Sequence, residues 1–126
     1  MLNQLDQLLA IKKCRETGLR HRVHRIEQEI AERNRQAGQE RADRAALRAE
    51  WRAASEAPQS VSPRAFQALK RQFAAFYERE QRITGKLKEL ATEVAGRRQL
   101  AADTTAALTR NLRGQEKLQT VMKESR

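Results

Sequence analysis

The residues that come nearest to a chemical site in this sequence are His21 and His24. On a helix, two residues three positions apart share a face, which suits two ligands of one metal ion. Cys14, the only cysteine, lies at least two helical turns from His24, and we identify no carboxylate or thiolate that would complete the set. We therefore predict that both histidines are surface residues and that the chain holds no metal.

No other residues form a pattern known from catalysis. The sequence contains no glycine-rich phosphate loop and no Ser/His/Asp arrangement in a recognisable motif. The two-helix architecture derived below also offers no concave pocket that could exclude water or shift a pKa. We expect no enzymatic activity and no cofactor.

The composition favours long, exposed helices. The 126 residues include three Phe, one Tyr and one Trp, and 33% are charged. Good helix formers dominate, so the chain is either disordered or built from solvent-exposed helices, and its length suits one domain. The longest apolar run, LLAI, is far too short to span a membrane, and we see no signal peptide at the N-terminus.

Both prolines lie in one central segment, SEAPQSVSPRAF, at residues 55–66. Proline inside a helix costs about 3 kcal/mol, so a long helix should not cross this segment. Pro58 disfavours helical geometry at Ala57 and should end a first helix there. Ser62 followed by Pro63 is typical of an N-cap with proline at the first helical position.

Heptad repeats run along both arms. With position a at Leu2, 11 of the 16 a and d residues up to Ala54 are apolar; with a at Phe66, 12 of 18 are apolar. This pattern predicts an all-α fold: an antiparallel two-helix coiled-coil hairpin forming one domain over residues 1–126. We expect helix 1 at about 2–56, a loop at about 57–62 and helix 2 at about 63–123. The five glycines avoid a and d, and either mark bends or are tolerated at the surface.

Two pairing registers are compatible with the repeats. The preferred one pairs Trp51 with Leu69 and Ala37 with Ile83, so that paired residue numbers sum to 120, but it sets Glu40 against Glu80. A slip of one heptad, to a sum of 113, would instead pair Arg33 with Glu80 and Glu16 with Arg97. Polar layers of this kind set the register of a coiled coil.

The net charge of +10 points to acidic partners, and it is unevenly distributed. Residues 1–26 and 97–126 carry 13 basic and five acidic residues, whereas residues 27–96 carry 13 and 11. A hairpin brings the first two segments together at one end. This end is either a solvated surface that keeps the molecule in solution or an electrostatic docking site.

Aromatic residues cluster near the predicted loop, in FQALKRQFAAFYERE. Phe66, Phe73 and Phe76 occupy a and d positions, so we predict that they pack in the core. Tyr77 occupies an e position and is a candidate contact residue. Aromatic side chains at such a site could also anchor a partner.

The opening LNQLDQLLAIKKCRETGLRHRV, the central break and the second long helix resemble the central stalk proteins of type III secretion, the YscO/FliJ-like family. The resemblance spans nearly the whole chain and rests on length, charge, heptads and LLAIKKCR, which is similar to the family's usual Leu-x-x-Ile-Lys-x-x-Arg start.

The resemblance implies a non-enzymatic, cytoplasmic stalk at the base of an injectisome or flagellar export apparatus. Its expected partners are the hexameric export ATPase, the export gate protein and secretion chaperones. The residues implied to meet the ATPase are Lys12, Lys13, Arg15, Arg20, Arg22, Arg110 and Arg113. Those implied to face the gate are Phe73, Phe76 and Tyr77.

Other functions remain open. A basic coiled coil could bind nucleic acid or act as a general scaffold, although acidic residues are interspersed and no nucleic-acid-binding motif is present. Peripheral membrane binding is disfavoured because the basic segment lacks a wide apolar face. The hairpin could also pair with a second copy to form a four-helix dimer.

Overall fold

The computed structural model describes residues 2–56 and 62–125 and contains two helices. Helix α1 runs from Leu2 to Glu56 and helix α2 from Pro63 to Glu124. Both continue without a break through the glycines. The predicted all-α, two-helix hairpin is confirmed. Ala57 lies outside the described residues.

The start of α2 is capped as the sequence predicts. The backbone N–H of Ala65 donates to the hydroxyl of Ser62 at 3.1 Å, and the N–H of Phe66 donates to the Ser62 carbonyl at 3.0 Å. Pro63, at the first helical position, has no N–H to satisfy. The Ser-Pro pair therefore fixes where α2 begins.

The chain divides into two compact units where the sequence indicated one domain. The terminal unit comprises residues 1–31 and 95–126, and the loop-proximal unit comprises residues 32–94. In each unit the two arms pack along the predicted a and d positions. All eight buried residues within the described segments occupy these positions: Ile26, Ala37, Leu47, Leu90, Val94, Thr104, Gln115 and Met122.

The pairing register differs from both predicted alternatives. In the loop-proximal unit Trp51 packs edge-on against Phe73 and Phe76, and the Nε of Arg33 donates to Glu93 at 3.1 Å. The pair Trp51 and Phe76 sums to 127, one heptad beyond the preferred register of 120.

The terminal unit has the same register, and the preferred and slipped registers were both wrong. The Nε of Arg97 donates to Glu29 at 2.8 Å rather than meeting Glu16. In the loop-proximal unit the Nε of Arg48 donates to Glu80 at 2.7 Å. The observed register therefore gives Arg33, Glu80 and Arg97, at a and d positions, partners of opposite sign on the other arm, where the register of 120 would have placed Glu40 against Glu80.

This register exposes aromatic residues that were predicted to be buried. A sum of 127 sets Glu56, the last residue of α1, level with Arg71, so residues 63–70 of α2 extend past the end of α1. Phe66, on this extension, is 56% exposed, and Phe73, level with Ala54 near the end of α1, is 52% exposed, which corrects the assignment of both to the core. Phe76 is half-buried, and Tyr77 is exposed as predicted.

Candidate functional site

The seven cations predicted to meet the ATPase all lie in the terminal unit but not on one surface. By heptad position, the g and c residues of both arms line one side of the seam, and the e and b residues line the other. Arg15, Arg22 and Arg110 lie on the g side. Lys13 and Arg20 lie on the e side, and Arg113 points away from the seam at position f.

Lys12 occupies a seam position, yet its ammonium group reaches the g side. A Cβ built on Gly114, a g residue of α2, would lie 2.9 Å from the Nζ of Lys12. The absent side chain at Gly114 therefore leaves space that the lysine fills. Four of the seven predicted cations thus share one side.

Sequence reasoning missed two cations on the same side, Arg25 and Lys117. Both are exposed and occupy c positions, one helical turn from g residues. Their heptad positions would have revealed them. We call the following set the basic side: Lys12, Arg15, Arg22, Arg25, Arg110 and Lys117.

The cations of the basic side lack acidic partners. Within the described part of the terminal unit, ion pairs join Arg20 to Glu16 and Arg97 to Glu29, and neither arginine belongs to the basic side. Among the described residues, none of the six basic-side cations makes an ion pair. Their charge is therefore available to an external anion.

In the loop-proximal unit many cations are neutralised by neighbours. Glu32 accepts two hydrogen bonds from Arg35, at 2.7 and 3.0 Å, and these lower the pKa of Glu32 to about 2. Further ion pairs join Arg33 to Glu93, Arg48 to Glu80, Arg79 to Glu50 and Lys86 to Glu89.

The two units differ more in how many of their cations form ion pairs than in their net charge. The terminal unit has 13 basic and seven acidic residues, a net of +6, and the loop-proximal unit has 13 and nine, a net of +4. The asymmetry is smaller than the sequence segments suggested, because Glu27 and Glu29 fall in the terminal unit.

A polar layer of Glu16, Asn111 and Gln115 interrupts the seam of the terminal unit. The amide nitrogen of Gln115, which is 6% exposed, donates to Glu16 at 2.9 Å and to Asn111 at 2.7 Å. The bond from Gln115, followed by that from Arg20, holds the pKa of Glu16 below its usual value. This layer supplies donors and acceptors that only one register satisfies.

Replacing all three polar-layer residues with leucine is expected to raise the thermal midpoint by about 5 °C while weakening register specificity. Circular dichroism measures the midpoint, and analytical ultracentrifugation detects additional oligomers. Replacement of three exposed glutamines, Gln7, Gln28 and Gln99, with leucine is the control. A variant that melts lower and stays homogeneous would contradict this role.

The polar layer also predicts a pH dependence. Since the folded-state pKa of Glu16 lies below its unfolded value, its contribution to stability is present at neutral pH. That contribution is lost as the pH falls through the folded-state pKa. The Glu16→Gln variant should therefore lose less stability than the natural protein between pH 7 and acid, as urea titrations at several pH values would measure.

The residues predicted to face the gate lie together in the loop-proximal unit. Trp51 contacts Phe73 and Phe76 with ring centroids 3.9 and 5.0 Å apart. A surface cavity of about 180 Å³ is lined by these three rings and by Tyr77, which is 66% exposed. In residues 63–70, which extend past the end of α1, the Lys70 ammonium lies 4.9 Å from the centroid of the Phe66 ring.

The histidines and the cysteine do not form a metal site with neighbouring residues in the part of the chain that the structure describes. Within residues 2–56 and 62–125, no three His, Cys, Asp or Glu residues lie close enough to hold a metal ion. His21, His24 and Cys14 are exposed. Neither described helix is long and apolar enough to cross a membrane.

Comparison of the chain with models of known protein families, with curated proteins and with solved structures found no match.

Proposed function

We propose that this protein is a non-enzymatic central stalk, or adaptor, of a type III secretion export apparatus. In this role it links the hexameric export ATPase to the export gate, binds secretion chaperones, and resides in the cytoplasm at the base of the membrane-embedded machine. The proposal extends the sequence resemblance to the YscO/FliJ-like family.

The observation that carries the proposal is the difference between the two units. The terminal unit presents unpaired cations on its basic side, whereas the loop-proximal unit presents exposed aromatic rings. A linker needs two contact areas of different chemistry, so that each end selects its own partner. We assign the basic side to the ATPase and the rings around Tyr77 to the gate.

Affinity purification of the full chain tests this proposal. Purification at moderate salt after nuclease treatment should recover a hexameric ATPase and a gate protein. Nuclease treatment removes the competing explanation, a basic nucleic-acid-binding protein, for which the unpaired cations are the supporting observation. Recovery of neither protein after nuclease treatment, together with recovery of polynucleotides from an untreated extract, would overturn the stalk.

Tyr77→Ala should separate the two contacts. Because Tyr77 is 66% exposed, its removal should leave the hairpin folded. We expect at least about a fivefold loss of gate protein with the ATPase retained, since exposed aromatic anchors carry much of a contact's free energy. Gln81→Ala, also exposed and one turn further along α2, is the matched control. Equal recovery of the gate with both variants would contradict this assignment.

A further inference from the structure

The exposed apolar residues of the terminal unit all lie on the side that bears the unpaired cations. Four large apolar side chains of this unit are more than two-fifths exposed: Leu8, Ile11, Leu100 and Val121. Leu8, Leu100 and Val121 occupy g positions, and Ile11 occupies a c position. None lies on the e side, so two independent properties select the same surface.

Apolar and basic residues of this surface occupy different positions along the helices. At the observed register Leu8 lies nearly level with Val121, which places an apolar pair at the end nearest the chain termini. Arg15 lies nearly level with Gly114, and Arg22 with Ala107. Arg22 is thus set beside a small residue of α2, and beside Arg15 the space at Gly114 holds the Lys12 side chain, so that Lys12 and Arg15 present their charges close together.

We infer that the g side of the terminal unit binds an acidic amphipathic helix of another protein. Such a helix would set carboxylates at heptad spacing against Arg15, Arg22 and Arg110, and apolar side chains against Leu8 and Val121. This inference rests on the proposed function only in that both place a partner on the terminal unit. It adds which side of that unit is bound and the chemistry of the partner.

Charge selects this occupant over a second copy of the chain. Two basic sides facing each other would bring at least ten cations together with only six carboxylates, three from each copy, to offset them. Of the acidic residues on this side, Glu29 and Glu124 lie toward its ends, and Asp103 lies level with His24, between Arg22 and Arg25. A polynucleotide would satisfy the cations but would leave the apolar pair against water or phosphate.

The test uses the full-length protein and a labelled, alanine-based helical peptide of about three heptads with one Leu and two Glu per heptad on one face. Fluorescence anisotropy at about 0.1 M salt measures its affinity. The double variant Arg15→Glu/Arg110→Glu should bind at least about fivefold more weakly. The matched control Arg98→Glu/Lys123→Glu removes the same charge on the e side and should bind within about twofold of the natural protein.

Equal losses in both double variants would overturn the inference, because they would show attraction to net charge alone. Preferential binding to a DNA duplex or to anionic vesicles, offered as separate probes, would also overturn it. Circular dichroism checks helicity, and Arg15→Gln/Arg110→Gln replaces the glutamate variant should that one unfold. An ATPase recovered equally by both double variants would refute this inference and the assignment of the basic side to the ATPase, whereas recovery of neither an ATPase nor a gate protein by the natural protein would overturn the stalk proposal itself.

Discussion

Replacing Leu90 with alanine is expected to lower the free energy of unfolding by about 3 kcal/mol. Leu90 is 1% exposed and is the largest fully buried side chain among the described residues. At the observed register it lies opposite Ala37, which is too small to fill the space that the truncation opens. The lost burial and the residual cavity should therefore both contribute.

Leu100→Ala is the matched control for this truncation. It makes the same chemical change on the same helix, with the same effect on helix propensity, at a position that is 41% exposed. It should lower stability by less than about 1 kcal/mol. Urea unfolding followed by circular dichroism measures both variants. Similar losses in the two would show that the seam does not contain the core that its burial indicates.

The location of that core could be predicted from sequence because it depends on a local, repeated property. Apolar residues at a and d form a continuous stripe only in a helix, and two stripes separated by prolines require a hairpin. Every buried residue of the described segments falls on these stripes. The N-cap at Ser62 was predictable for the same reason, since its chemistry involves only adjacent residues.

The register could not be predicted in the same way. A shift of seven residues leaves every a and d position facing the seam, so the apolar pattern is satisfied equally by several registers. We assumed a hairpin symmetric about its loop. The partners of the charged seam residues Arg33, Glu80 and Arg97 are instead satisfied with α2 extending past α1. Long-range pairing of single charges decides between registers that local periodicity leaves equivalent.

The residues that make up the candidate site depend on how the two arms pair. The sequence predicted a basic terminal region and assigned Lys13 and Arg20, at e positions, to the same partner contact as Arg15 and Arg22, at g positions. The paired arms place them on opposite sides of the seam, and Arg20 is neutralised by Glu16. The exposure of Phe66 and Phe73 likewise depends on which residues of α1 lie opposite them, and no local pattern encodes that.

A pair of cysteines at Val23 and Thr104 should form an intramolecular disulfide almost completely, in a background where Cys14 is replaced by serine. Thr104 is 5% exposed, Val23 is half-buried, and their numbers sum to 127. The two Cα atoms of a disulfide usually lie about 4.4–6.8 Å apart, and a separation of more than about 7 Å cannot be bridged without backbone movement. Mild oxidation followed by non-reducing electrophoresis of dilute protein detects the faster-migrating, cross-linked chain.

The competing register supplies the control, in the same background. A cysteine pair at Val23 and Arg97 sums to 120, and at the observed register the second position is displaced along α2 by seven residues, or about 10 Å. That separation exceeds the reach of a disulfide, so this pair should remain reduced. Cross-linking of the control pair alone would restore the symmetric hairpin. It would also remove the alignment of Arg15 with Gly114 and of Leu8 with Val121, and with it the geometric basis for an acidic helix docking on the g side.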